Sequence, residues 1–164
     1  MISFRPMNDD EFPAYLDYFI PDYAAEIAAN YRLSHEQALQ QARAEINSSL
    51  PDGVNTAGNV LLCIQADIGS ENGHAGYLWY KPDIALKSAF INDFHILPPY
   101  QNRGFGREAL ICLETSLIAE GFRQIKLRVA GDNHAAQHVY ASSGFNVTGV
   151  NMNKVLVDYP DDLT

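Results

Sequence analysis

At 164 residues, 47% of them hydrophobic and 19% charged, the chain has the length of one domain and a composition that excludes disorder. A formal charge of −9 repels phosphate backbones and anionic membranes, so nucleic acid and membrane are not expected partners; around a cleft the same acidity would favour a cationic small molecule, or it serves only solubility. No run approaches the length of a membrane span, and the start Met1-Ile2-Ser3-Phe4-Arg5-Pro6 lacks a basic stretch ahead of an apolar one, so a cytoplasmic location is expected.

Ile2 and Phe4 alternate with polar neighbours, which predicts a first strand over residues 2–6. Asp10 can cap a helix whose Pro13 falls in the tolerant first turn. Pro21 should interrupt that helix near Ile20, with Asp22 capping a continuation to about Tyr31. Ser34-His35-Glu36-Gln37 has the pattern of a capping box and opens a second helix to about Ser48, after which Pro51-Asp52-Gly53 ends the helical half. Residues 59–66 are a β-prone apolar run, residues 69–73 are turn material and residues 75–80 alternate aromatics, together a predicted hairpin. Its Tyr77, Trp79 and Tyr80 read as core and edge packing, or else as the lining of an acceptor pocket.

A strand over residues 89–97 comes next, then a helix over residues 105–120 with Leu110, Leu113 and Leu117 on one face and Gly121 as its stop. Residues 124–129 alternate Ile125, Leu127 and Val129 against Lys126 and Arg128, which is a strand. A short helix from about Asn133 to Ser143 carries Ala136, Val139 and Tyr140 on one side and is capped by Gly144; residues 145–150 and 152–157 then close the chain as strands. Cys63 and Cys112 lie in apolar runs and read as reduced core thiols. The expected organisation is a single α/β domain over residues 1–157, built on a mixed sheet, followed by an acidic tail over residues 158–164.

The chemistry concentrates between the strand at 89–97 and the helix at 105–120. Pro98-Pro99 ends the strand, Gln101-Asn102-Arg103 turns the chain, and Gly104 and Gly106 let the backbone approach a ligand with no Cβ in the way. Free N–H groups and the positive end of the helix dipole converge there, which suits an anion such as a diphosphate. A tight turn needing glycine for its own geometry would look the same. No Gly-Lys-Ser or Gly-Lys-Thr is present, which excludes a P-loop. Gly104-x-Gly106-x-x-Ala109 does fit the dinucleotide fingerprint, but Pro98 to Arg103 intervene after the strand and only 32 residues follow Asp132 to complete such a fold.

Gln101-x-x-Gly104-x-Gly106, between a strand and a helix, resembles the central motif of the GNAT superfamily of N-acetyltransferases, usually Arg/Gln-x-x-Gly-x-Gly/Ala. Asn133-His134-Ala135-Ala136-Gln137-His138-Val139-Tyr140-Ala141-Ser142-Ser143-Gly144-Phe145 is similar to that family's Asn-x-x-Ala-x-x-Leu-Tyr-x-x-x-Gly-Phe helix. Order and spacing agree over residues 88–150. The resemblance implies a single-domain mixed sheet of about seven strands flanked by about four helices, with a splay between the fourth and fifth strands that receives the pantetheine arm of acetyl-CoA.

By carry-over, backbone at Ile96 and Leu97 would meet pantetheine, and N–H groups of Gln101, Asn102, Arg103, Gly104, Phe105, Gly106 and Arg107 would meet the pyrophosphate. Ala136 belongs with these, as does Asn133, which would touch the arm or else merely cap its helix. Tyr140 stands at the family's general-acid position, although its helical face also suits the core. For the base, members that acetylate polyamines carry Glu-Asp where this chain has Asn92-Asp93. Asn92 cannot accept a proton, so Asp93 acting through water is the candidate and His95 the second; alternation puts Asn92 and Asp93 on opposite faces, and a bulge would decide which one reaches the site.

The implied activity is acetyl transfer from acetyl-CoA to a primary amine of a small, cationic molecule by direct attack in a ternary complex, with a non-catalytic acyl-CoA-binding module as the alternative. No metal is implied. His134 and His138, four apart, read as a solvated pair because Ala135 replaces the Glu of His-Glu-x-x-His. Acceptor choice is assigned to the region of Tyr23, Glu26 and Tyr31, and a homodimer is common among such proteins.

Overall fold

Four strands run antiparallel in chain order: β1 (Ile2–Pro6), β2 (Val60–Ile68), β3 (Glu71–Asp83) and β4 (Ser88–Ile96). A parallel neighbour needs a crossover, and α3 (Phe105–Ala119) provides it, delivering β5 (Gln124–Leu127) alongside β4. α4 (His134–Ser142) follows, and α1 (Phe12–Tyr31) and α2 (His35–Ser49) are inserted between β1 and β2. This computed structural model describes residues 1–68 and 71–157; the expected acidic tail lies outside the described residues, as does the tip of the β2–β3 hairpin.

The chain divides into two compact clusters. The first, Met1–Asn8 with Val54–Asn146, holds the sheet, α3 and α4. The apolar stripe of α3, Ala109, Leu110, Leu113 and Leu117, packs on Ile2, Ile64, Ala66, Leu78, Ala89 and Ile91 of the sheet, so the helix is held by burial of one face. Leu61, Cys63, Tyr77 and Trp79 are buried as well, and the indole of Trp79 donates to Asn59 Oδ1 at 2.9 Å. The aromatic hairpin is core, as one of its two readings had it. Cys63 is buried and Cys112 half-buried, and neither is in a disulfide; burial raises the Cys112 pKa, reinforced by Glu108 and opposed by the terminal ammonium.

The second cluster contains α1 and α2, packed through Ala24, Ile27, Ala38 and Ala42, and the three alanines let the helices approach closely around Ile27. The capping box at α2 is complete: Gln37 N–H donates to Ser34 Oγ at 3.1 Å, and Ser34 N–H donates to Gln37 Oε1 at 3.2 Å. α1 departs from the sequence expectation. Residues Asp9–Glu11 form a 3-10 turn, no side chain caps the helix, and Pro21 sits within an uninterrupted helix, with Asp22 inside it as well. The carbonyl that Pro21 leaves unpaired belongs to Asp17, on the exposed side with Pro21 itself, where water can satisfy it, while Tyr15, Ala24 and Ile27 anchor the buried side.

The sheet has five strands among the described residues, not about seven. Residues 145–150 and 152–157 have strand-like patterns but no strand partner among the described residues, and a pattern without a ladder does not make a strand.

Candidate active site

β4 and β5 pair over four residues only, from Ser88 opposite Gln124 to Ile91 opposite Leu127. Where they part, β4 carries an extra residue against β3. Trp79 pairs with Asp93 and Tyr80 with Ile91, so Asn92 is bulged out and exposed. The bulge inverts the alternation: Ala89 and Ile91 lie in the core before it, Phe94 and Ile96 pack on the same core after it, and Asp93 and His95 fall between them.

The chain leaves β4 through Leu97, whose N–H donates to Ala75 O at 2.8 Å and is thereby tied to β3. A 3-10 turn, Pro98–Tyr100, follows; Gln101 spends its N–H on Pro98 O at 3.2 Å and its side-chain amide on Ile96 O at 2.7 Å, clipping the loop to the strand. Asn102 takes φ 60° and Gly104 φ 82°, the second of which favours glycine. α3 starts at once, and its first hydrogen bond, Glu108 N–H to Gly104 O at 3.1 Å, leaves the N–H groups of Phe105, Gly106 and Arg107 ahead of the ladder.

Gly106 has an ordinary φ, and a Cβ there would meet Ile96 and Phe94 at 3.8 and 3.9 Å, an undemanding contact. The fold itself therefore does not require glycine at 106. Two cations crowd the positive end of the helix dipole: Arg103 lies 5.8 Å from the centre of the Phe105 ring, and Arg107 donates to Ser142 Oγ at 2.8 Å. A diphosphate fits these residues, since it would accept from the leading N–H groups and neutralise both guanidinium groups.

α4 is set by its cap. Asn133 Oδ1 accepts from Ala136 N–H at 3.1 Å, so the capping role is real, and Ala136 is half-buried one turn in. Gln137, which the sequence did not single out, donates its amide to Ala130 O at 2.9 Å and Gly131 O at 3.0 Å, fastening the β5–α4 loop; only the position of that amide one turn past the cap could have flagged it. Tyr140 packs edge-on against Phe145 with ring centres 5.5 Å apart. Its phenol pKa is pushed up to about 12, first by burial and second by the Asp93 carboxylate. Tyr140 and Asp93 are thus brought within electrostatic reach of each other. His95 lies two residues along, opposite Tyr77. His134 and His138 are both exposed, and Tyr23, Glu26 and Tyr31 belong to α1, in the other cluster.

Residues 34–145 match the model of the acetyltransferase (GNAT) family. The uncharacterized N-acetyltransferase YycN of Bacillus subtilis is 31% identical over 157 residues, covering 94% of this chain and 99% of its own. The crystal structure of YycN superposes with a TM-score of 0.86 at 30% identity, covering 96% of this chain and 99% of the other. At the level of fold, the PaiA N-acetyltransferase of Thermoplasma acidophilum, solved with coenzyme A, matches with a TM-score of 0.65 at 16% identity over 92% of this chain and 93% of its own. The spermidine N-acetyltransferase of Vibrio cholerae, solved with CoA and spermine, matches with a TM-score of 0.62 at 16% identity over 95% and 87%.

Proposed function

The chain belongs to the acetyltransferase (GNAT) family and is an acyltransferase, and we propose that it acetylates the primary amine of a small, cationic acceptor at the expense of acetyl-CoA. The observation that carries this reading is the pairing of Asp93 and Tyr140, a carboxylate and a proton-holding phenol, where β4 leaves β5.

Acetyl-CoA supplies a thioester open to direct attack by a neutral amine. Phe105, Gly106 and Arg107 hold its diphosphate through their N–H groups, with Asn102, Arg103 and Gly104 shaping the approach. The fourth and fifth strands diverge beyond Ile91, which leaves the β4 edge from Asn92 to Ile96 to receive an extended pantetheine arm, with Asn133 and Ala136 at the start of α4 as the opposite support. Leu97 and Gln101 take part through position, since their N–H groups already bond to Ala75 and Pro98.

An amine near pKa 10 must lose a proton before it attacks, and Asp93, through water, accepts it, with His95 as the alternative acceptor. Tyr140 holds a proton at Oη at every physiological pH and delivers it to the departing sulfur. The net charge of −9 supports a cationic acceptor, and spermine in the Vibrio cholerae neighbour has the same character. A cytoplasmic homodimer completes the proposal, the location in keeping with two cysteines that form no disulfide. Release of free thiol from acetyl-CoA, measured across polyamines, aminoglycosides, amino acids and peptides, should single out polycationic amines; release with none of them would overturn the reading.

A further inference from the structure

β3 outruns β4 at the loop end of the sheet. The ladder between them ends with Gly76 opposite Ile96, extended by the bond from Leu97 N–H to Ala75 O, whereas Gly73, further out on β3, pairs with Ala66 of β2. Opposed residues of an antiparallel pair point to the same face, and Ala66 is fully buried in the core that α3 covers. A side chain at residue 73 would therefore point into that core, and glycine supplies none. Tyr100 fills the space instead. A Cβ at residue 73 would run into the Tyr100 hydroxyl and stand 3.2 Å from Cζ and 3.5 Å from Cε1 of the same ring. Gly73 does not have a positive φ, so conformational freedom does not account for the glycine, while the three atoms nearest the missing Cβ all belong to Tyr100.

The same ring reaches the loop. Tyr100 closes the 3-10 turn after β4, with its N–H on Leu97 O at 2.9 Å, and its ring centre lies 6.2 Å from that of Phe105. The Arg103 guanidinium in turn lies 5.8 Å from the Phe105 ring centre. Phe105 opens α3 and carries the first of its leading N–H groups, and Arg103 is one of the two cations at that helix end. Gly73, Tyr100, Phe105 and Arg103 thus form one continuous stack from the β2–β3 hairpin to the loop.

We propose that Tyr100 is a positioning residue for acetyl-CoA: seated on Gly73, its ring fixes Phe105, and through it Arg103, in the arrangement that receives the diphosphate. The role rests on the reading of that loop as an acetyl-CoA site. Tyr100 acts through Phe105 and not on the reacting atoms. A donor or a guanidinium already held in place loses less freedom when the ligand arrives, so a ring supported from the hairpin raises affinity without adding a contact of its own. Moving the ring off its seat should loosen the grip on the cosubstrate.

Calorimetric titration of the full chain with acetyl-CoA tests this. Gly73→Ala drives the Tyr100 ring off its seat and should weaken binding by about 10-fold, the scale of a small misplacement passed on to a binding group. Adding Tyr100→Phe to Gly73→Ala removes the colliding hydroxyl, leaves contacts of 3.2 and 3.5 Å that a small shift relieves, and should restore affinity to within about 3-fold of the parent. Tyr100→Leu, which removes the ring itself, should weaken binding as Gly73→Ala does and gives an independent reading should the alanine variant fail to fold. A parent that binds acetyl-CoA no more tightly than Gly73→Ala or Tyr100→Leu, or a loss at Gly73→Ala that Tyr100→Phe does not restore, would overturn the positioning role and leave the acetyl-CoA site standing. A parent that binds no acetyl-CoA would overturn both.

Discussion

Asp93 on β4 bears on the phenol of Tyr140 on α4: after burial, its carboxylate is the second reason that Tyr140 keeps its proton up to about pH 12. The two side chains belong to elements on either side of the β4–β5 divergence, and burial together with the carboxylate keeps the phenol in the protonated form that a proton donor must have.

Replacing Tyr140 with Phe should lower turnover by about 100-fold or more, the usual scale for losing a positioned general acid. Acetyl-CoA affinity, measured by calorimetry, should hardly move, because the anion-binding groups lie on the loop before α3. An unchanged rate would remove Tyr140 from the acid role.

The raised pKa also predicts a stability profile. Between the unfolded value near 10 and the folded value of about 12, the folded state binds more proton than the unfolded state. The contribution is therefore whole below about pH 10 and is lost as pH rises through about 12. Denaturant unfolding in this alkaline window should show the parent losing more stability than Tyr140→Phe; equal losses would mean that Tyr140 titrates normally.

Asp93→Asn should move the Tyr140 titration downward but not back to its ordinary value, because burial, the larger cause, persists. Ultraviolet difference titration of tyrosinate checks this, and the same variant should slow acetyl transfer. A titration that does not shift would show that the two groups do not interact.

The loop glycines should separate cleanly. Gly104→Ala places a Cβ at φ 82° and should cost about 1 kcal/mol in thermal or denaturant unfolding. Gly106→Ala has ordinary backbone and room for its methyl, so stability should hold within about 0.5 kcal/mol. Its acetyl-CoA affinity should nevertheless fall, since the methyl occupies the approach to the leading N–H groups. Affinity unchanged at Gly106→Ala would argue against a close backbone contact there.

In the α1–α2 cluster, Ser34→Ala removes the acceptor of the Gln37 N–H and should destabilise α2 by about 1 kcal/mol, read by circular dichroism melting, with little change in acetyl-CoA affinity. A loss well below that would mean that water replaces the cap.

Features governed by local chemistry were legible in the sequence. Ser34 and Gln37 announced their capping box, Gly121 and Gly144 their left-handed positions after α3 and α4, and the Gln101 to Gly106 loop its place between a strand and a helix. Pro21 misled because helix breaking is a local penalty, and burial of Tyr15, Ala24 and Ile27 outweighs it. Residues 145–157 misled for the opposite reason: their alternation is genuine, but a strand is a relation between two segments and the second was not visible in the pattern. Gln137 and Ser142, which fasten the β5–α4 loop and Arg107, hold groups distant or unremarked in sequence, so only coordinates bring them to notice.

Asn92 is, from the standpoint of the sheet, one residue too many. Without it Ile91 would lead directly to Asp93, the later side chains would keep their faces, and the ladder to β3 would run unbroken through Trp79 and Tyr80. Regularity at that point would also invite β5 to continue along β4 and close the gap. Cohesion and access compete for a single position, and a chain lacking Asn92 should melt higher while acetylating less.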